Sequence, residues 1–219
     1  MTLDISYIAP VITPNAPCSL GKTLDEIQPG LEAIQAVYSS VTKGRFEGIT
    51  AKEDARYMNG VARVIYQYSI EGILPTRLTQ EIMDVADQLN STDLGAIFLD
   101  FSTFCLASRV GAELTGYGNV TASCEQIMAM AIVRNKLDYQ LDEPYMEVSE
   151  LEPCDEPFTL KEIAILAQMN ERSVRNATLS SARDRLATSR DGKRVTVNAP
   201  EVASWLNRRK NFKPTRAIE

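Results

Sequence analysis

Apolar residues recur at three- and four-residue spacing through most of the first 140 positions, a periodicity that leaves little room for anything but packed helices. Leu31, Ile34, Val37, Tyr38 and Val41 form one stripe, with Pro29 where a first helical turn tolerates it. Met58, Val61, Ala62, Ile65 and Tyr66 form a second, in a helix that Thr50 and Glu53 are spaced to open as a capping box. Leu78, Ile82, Val85, Ala86 and Leu89 form a third. The most apolar stretch, from Leu94 to Val110, is interrupted by Asp100 and Arg109 and carries Ile97, Phe98, Phe101, Phe104 and Cys105. It reads as a buried helix, too short to span a bilayer. After a break at Gly116-Tyr117-Gly118-Asn119, a last helix carries Ile127, Met130, Ala131, Arg134 and Leu137. Residues 1–141 are therefore expected to form an all-helical domain of about five helices.

The composition changes over residues 142–157, which hold seven carboxylates, no lysine or arginine, and Pro144, Pro153 and Pro157. Proline removes helical donors and like charges repel, so an extended linker and a domain boundary are expected there. The boundary also divides the charge. Residues 158–219 hold thirteen lysines and arginines against six carboxylates, whereas residues 1–157 hold ten against twenty-three. The formal charge of −6 thus conceals a basic module joined to an acidic partner.

Within that module, Thr159 and Glu162 have capping-box spacing and open a helix whose apolar positions are Leu160, Ile163, Ala164 and Ala167. Asn170 is suited to cap a second helix over Glu171 to Ala177, with Val174 and Ala177 facing inward. Its outward positions, Arg172, Ser173, Arg175 and Asn176, supply guanidinium forks for guanine and an amide for adenine, so they are the candidate base-reading residues. Arg190, Lys193 and Arg194, with Arg208, Arg209, Lys210 and Lys213 beyond, are candidates for the phosphate backbone.

The run from Phe158 to Ala177 resembles the helix-turn-helix of the excisionase and MerR-like winged-helix group. In that group a small residue, here Ala164, lets the two helices approach, and an apolar one, here Val174, anchors the second. Arg190-Asp191-Gly192-Lys193-Arg194-Val195-Thr196-Val197 is similar to the group's wing, a β-hairpin with a D-G turn. Glu201 to Leu206 is similar to the following helix that packs its tryptophan, here Trp205, under the wing. Gln168 stands where the group has a turn glycine, and Leu179 to Thr188 lengthens the step to the wing. The resemblance covers residues 158–219 and implies a winged helix-turn-helix that binds double-stranded DNA, in a transcriptional regulator or a phage- or plasmid-type DNA-architecture factor.

Other chemistry is narrowed by what is absent. With no histidine, Ser-His and Cys-His catalysis and histidine-ligated metal sites are excluded. Cys18, Cys105, Cys124 and Cys154 are too far apart for C-x-x-C sites and read as reduced, buried thiols. Ala16 to Thr23 fits a relaxed phosphate-loop pattern, with Asp100 as its carboxylate, but lacks the first glycine. Thr23 reads instead as an N-cap boxed with Glu26. Met1 to Ile12 lacks a basic, unbroken signal segment. The expectation is a mainly α, cytoplasmic DNA-binding protein with no catalysis, cofactor, metal or membrane. The N-terminal domain would form a homodimer or take a protein partner. Recruitment of the winged helix to bind another protein is the rival reading, and a phosphate-loop enzyme the remote one.

Overall fold

The computed structural model describes residues 18–42, 51–75, 94–116, 118–147, 154–192 and 194–218. The stripe from Leu78 to Leu89, Thr50, Tyr117, Lys193, Ala16, Pro17 and linker residues 148–153 lie outside them. The described chain is mainly helical, with a few short strands. Its first part holds α1 (Leu20–Asp25), α2 (Ile27–Thr42), α3 (Ala51–Tyr66), β1 (Ile73–Pro75), α4 (Leu94–Thr115) and α5 (Ala122–Gln140).

The helix expected up to Val110 continues to Thr115, giving α4 22 residues and a length and apolarity sufficient to cross a membrane. Half of that apolar span is buried in the protein's own core, where Ile97, Phe98, Phe101, Phe104 and Cys105 meet Val61, Ile65 and Ile127. Helices α2 and α4 approach almost backbone to backbone. A Cβ on Gly111 would lie 2.6 Å from the Ala33 carbonyl oxygen. This contact runs through Gly30 and Ala33, while Leu31 and Ile34 pack partly against the core and Tyr38 is 43% exposed.

The start of the chain corrects one expectation. Ser19, not Thr23, caps α1 by accepting from the Lys22 amide at 3.3 Å, so Thr23 lies inside the helix, buried, with its hydroxyl donating to the Ser19 carbonyl at 3.1 Å. The described part of the phosphate-loop pattern, from Ser19 to Thr23, is thus a capped helical turn, and Asp100 accepts a hydrogen bond from the Tyr57 hydroxyl. Glu26 is free to act elsewhere. Its carboxylate accepts from the amides of Ser123 at 2.7 Å and Cys124 at 3.0 Å, at the start of α5. Thr121 offers that helix no side-chain cap, and an anion at its positive end satisfies donors that would otherwise be orphaned.

Helix α5 serves two cores. Ile127, Met128 and Ala131 join the first, while Met130, Val133 and Leu137 join a second with Phe158, Ile163, Leu166, Val174, Leu186 and Trp205. The basic C-terminal part therefore sits against α5. Its elements are β2 (Phe158–Thr159), α6 (Leu160–Leu166), α7 (Glu171–Ala177), β3 (Ser189–Asp191), β4 (Arg194–Val197), α8 (Ala199–Leu206) and β5 (Arg216–Ile218). Strands β2, β4 and β3 form an antiparallel sheet in that order. The acidic segment runs along α5 at both described ends: Asn135 and Met146 bond reciprocally, and Gln140 donates to the carbonyls of Cys154 and Glu156.

The tail completes the attachment. Strand β5 pairs in parallel with β1, and the Arg216 amide donates to the Gly72 carbonyl at 2.8 Å. Helix α3 widens into one π-helical turn, Gln67–Glu71, ended by Gly72 at φ 66°. A side chain there would meet the Pro214 carbonyl at 2.5 Å, so this position needs glycine both for its φ and for the approach of the tail. Beside it, Arg134 is 1% exposed. Its Nε donates to the Ser69 carbonyl, and its Nη1 donates to the Lys213 carbonyl and to Thr215 Oγ1 at 2.9 Å each. The Phe212 ring lies 4.9 Å from the guanidinium. Asp138 accepts from the Tyr68 and Thr215 hydroxyls at 2.8 Å. A buried charge is tolerable only when its donors are satisfied in this way, and here it binds three separate stretches of chain together.

All four cysteines are free thiols, and burial pushes those of Cys18, Cys105 and Cys124 upward, which disfavours thiolate. Among the described residues, no His/Cys/Asp/Glu cluster is placed to hold a metal.

Candidate nucleic-acid interface

The site begins with a local device. Thr159 Oγ1 accepts from the Glu162 amide at 3.2 Å, and Glu162 accepts from the Thr159 amide at 2.6 Å, the reciprocal box that starts α6. The second carboxylate oxygen of Glu162 meets Lys136 of α5 at 2.8 Å, so the same residue that starts the helix also fixes it to its neighbour. Leu160, Ile163, Ala164, Ile165 and Leu166 are all buried.

The turn that follows passes through Gln168 at φ 50°, the left-handed geometry that glycine adopts most readily. The Met169 amide donates back to the Ala164 carbonyl at 2.9 Å, and Asn170 caps α7 by accepting from the Arg172 amide at 2.8 Å. Val174 is fully buried and Ala177 packs against the same core. Anchoring those two residues turns the other side of the helix out: Arg172, Ser173, Arg175 and Asn176 are all exposed, as their spacing predicts. Arg175 is paired with Glu171 at 2.7 Å in the open i,i+4 geometry of two solvated side chains.

The hairpin has its register set by Ser189 opposite Thr196, Arg190 opposite Val195, and Asp191 opposite Arg194. Asp191 is thus still paired and the turn begins at Gly192, one position later than the D-G turn read from the sequence; Gly192 takes a positive φ of 56°. Arg190 and Arg194 are exposed; Lys193 is outside the described residues. Behind the hairpin, Asn198 caps α8, and Trp205 is fully buried with its indole donating to the Asp184 carbonyl at 3.2 Å.

The cations beyond α8 are not equivalent. Arg208 meets one Asp184 oxygen at 2.8 Å and Arg209 meets the other, with the Arg209 guanidinium stacked 3.8 Å over the Trp205 ring. Both thus carry ion pairs that brace the fold; Arg208, like Lys210 and Lys213, is exposed, while Arg209 is half-buried. Sequence reasoning left out two others. Arg183 and Arg185, in the step between α7 and β3, are exposed and make no ion pair among the described residues. The signal for them was the unusual length of that step, with a carboxylate between two arginines.

Comparison with known protein families, with curated proteins and with solved structures finds no match to this chain. The likeness of residues 158–219 to excisionase and MerR-like proteins thus rests on the residues that carry it.

Proposed function

We propose that this chain binds double-stranded DNA through residues 158–218 acting as a winged helix-turn-helix. Helix α7 enters the major groove, and the β3–β4 hairpin lies on the adjacent backbone. The observation that carries the reading is the division of α7: Val174 is sealed in the core while Arg172, Ser173, Arg175 and Asn176 face solvent together. The excess of cations in this part of the chain supplies the attraction to phosphate that a face binding only protein does not need. The role is that of a regulator or DNA-architecture factor rather than an enzyme.

One such module reads a short half-site, and a second copy of the chain supplies the other, with the two reading helices about 34 Å apart. Leu106, Val110 and Leu114 recur every four residues along α4 and are 45%, 43% and 70% exposed, which suits them to meet the same stripe on that second copy.

The test uses the full chain, because the module shares its core with α5. Titration of mixed-sequence duplex at several salt concentrations is expected to give an affinity that falls linearly on logarithmic axes. Absence of any salt-dependent affinity at low ionic strength would refute DNA binding and favour a protein-binding module.

A further inference from the structure

The step between α7 and the hairpin is longer than a simple connection requires, yet it is held at almost every second residue. The Ala182 amide donates to the Leu179 carbonyl at 3.0 Å, and the Leu186 amide donates to the Ala177 carbonyl, the last of α7, at 2.9 Å. Leu186 is fully buried. The Ala187 amide donates to Glu201 of α8 at 3.0 Å. Between these points Asp184 is gripped from three directions, its carbonyl by the Trp205 indole and its carboxylate by Arg208 and Arg209.

Arg183 and Arg185, on either side of Asp184, are both exposed. Arg185 precedes by one residue, about 3.8 Å of chain, an amide fixed to the end of α7. Arg183 and Arg185 thus stand exposed on a stretch whose backbone is bonded to the C-terminal end of α7 and to α8, so little backbone freedom remains to be lost on binding. The one carboxylate close in sequence is occupied by Arg208 and Arg209 and does not neutralise them.

We propose that residues Leu179–Thr188 form a third DNA-contacting element, in which Arg183 and Arg185 grip backbone phosphates flanking the groove entered by α7. This inference rests on the duplex-binding reading above. Guanidinium suits the task because its planar fork donates two parallel hydrogen bonds to phosphate oxygens.

The experiment compares the full-length wild type with three double variants on one mixed-sequence duplex of about two helical turns. Affinity is followed from about 50 to 200 mM salt. Loss of two phosphate contacts in Arg183→Ala/Arg185→Ala is expected to reduce the salt slope by about 1.8 and to weaken binding roughly tenfold or more at 0.1 M salt. Both side chains are exposed and make no ion pair among the described residues, so the thermal midpoint should stay at the wild-type value. Arg183→Lys/Arg185→Lys keeps the charges and should retain most of the slope. Arg190→Ala/Arg194→Ala on the hairpin serves as the independent control. If the hairpin variant loses slope while the Arg183/Arg185 alanine variant matches wild type, the third element is overturned and DNA binding stands. If the wild type shows no salt-dependent affinity for the duplex, the DNA reading fails and this inference fails with it.

Discussion

Gln168 shows how one residue can carry strain for a whole motif. At φ 50° its Cβ crowds the backbone, a cost of about 1–2 kcal/mol for an ordinary residue, yet the turn between α6 and α7 requires that geometry. Glycine there relieves the strain and returns about 0.5–1 kcal/mol of it as chain entropy. Gln168→Gly is therefore expected to raise stability by about 0.5–1 kcal/mol in urea unfolding, and a loss of stability would show that the Gln168 side chain contributes more than its strain costs. Asp138 carries a different signature. Burial raises its carboxyl to about 6 from the ordinary 3.8, against the lowering effect of the Thr215 and Tyr68 hydroxyls and of Arg134. The folded state thus holds this proton between pH 4 and 6, where the unfolded chain has released it. Stability from this group is lost as pH rises through 6 and regained as it falls, on the order of 2–3 kcal/mol in all. Measured at pH 7, 6 and 5, the stability of wild type relative to Asp138→Asn should increase stepwise; a constant difference would assign the proton elsewhere.

At the level of elements, α7 and the β3–β4 hairpin should fail differently when altered. Arg172→Ala or Asn176→Ala should relax preference at one base position at a cost of about 1–3 kcal/mol, whereas Arg194→Ala should weaken all sequences alike and lower the salt slope by about 1. Competition binding against a randomised duplex library distinguishes them, and uniform loss in every variant would reduce α7 to a positioning element. These elements were legible in the sequence because their signals are local: Thr159 with Glu162, Asn170 before Glu171, and the alternation around Gly192 each act within a few residues. The pairings of β1 with β5 and of β2 with β4 were not legible, since each joins stretches too short to show a period. Glu26 capping α5 escaped for a similar reason. Its partner amides lie 97 and 98 residues away, and the nearby threonine offered a local partner that the fold does not use. Arg134 was correctly placed on the inward face of its helix, but nothing local revealed what an inward guanidinium would bind.

For the whole molecule, the absence of a clean break between the acidic and basic parts matters most. Helix α5 contributes to both cores, and the segment of like charge between them is laid against it rather than left as a free tether at its described ends. The proposed pairing of two copies through α4 has its own check. Leu114→Glu, at a position 70% exposed, should leave the fold intact while converting a dimer to a monomer by light scattering; a wild type already monomeric at micromolar concentration would remove that part of the proposal. The tail strand offers a way to watch the two parts move. The Arg216 amide is bonded to the carbonyl of Gly72, on the far side of the boundary, so it exchanges with solvent deuterium only when the parts come away from each other. Its exchange rate, followed with and without duplex, therefore serves as a built-in clock for undocking.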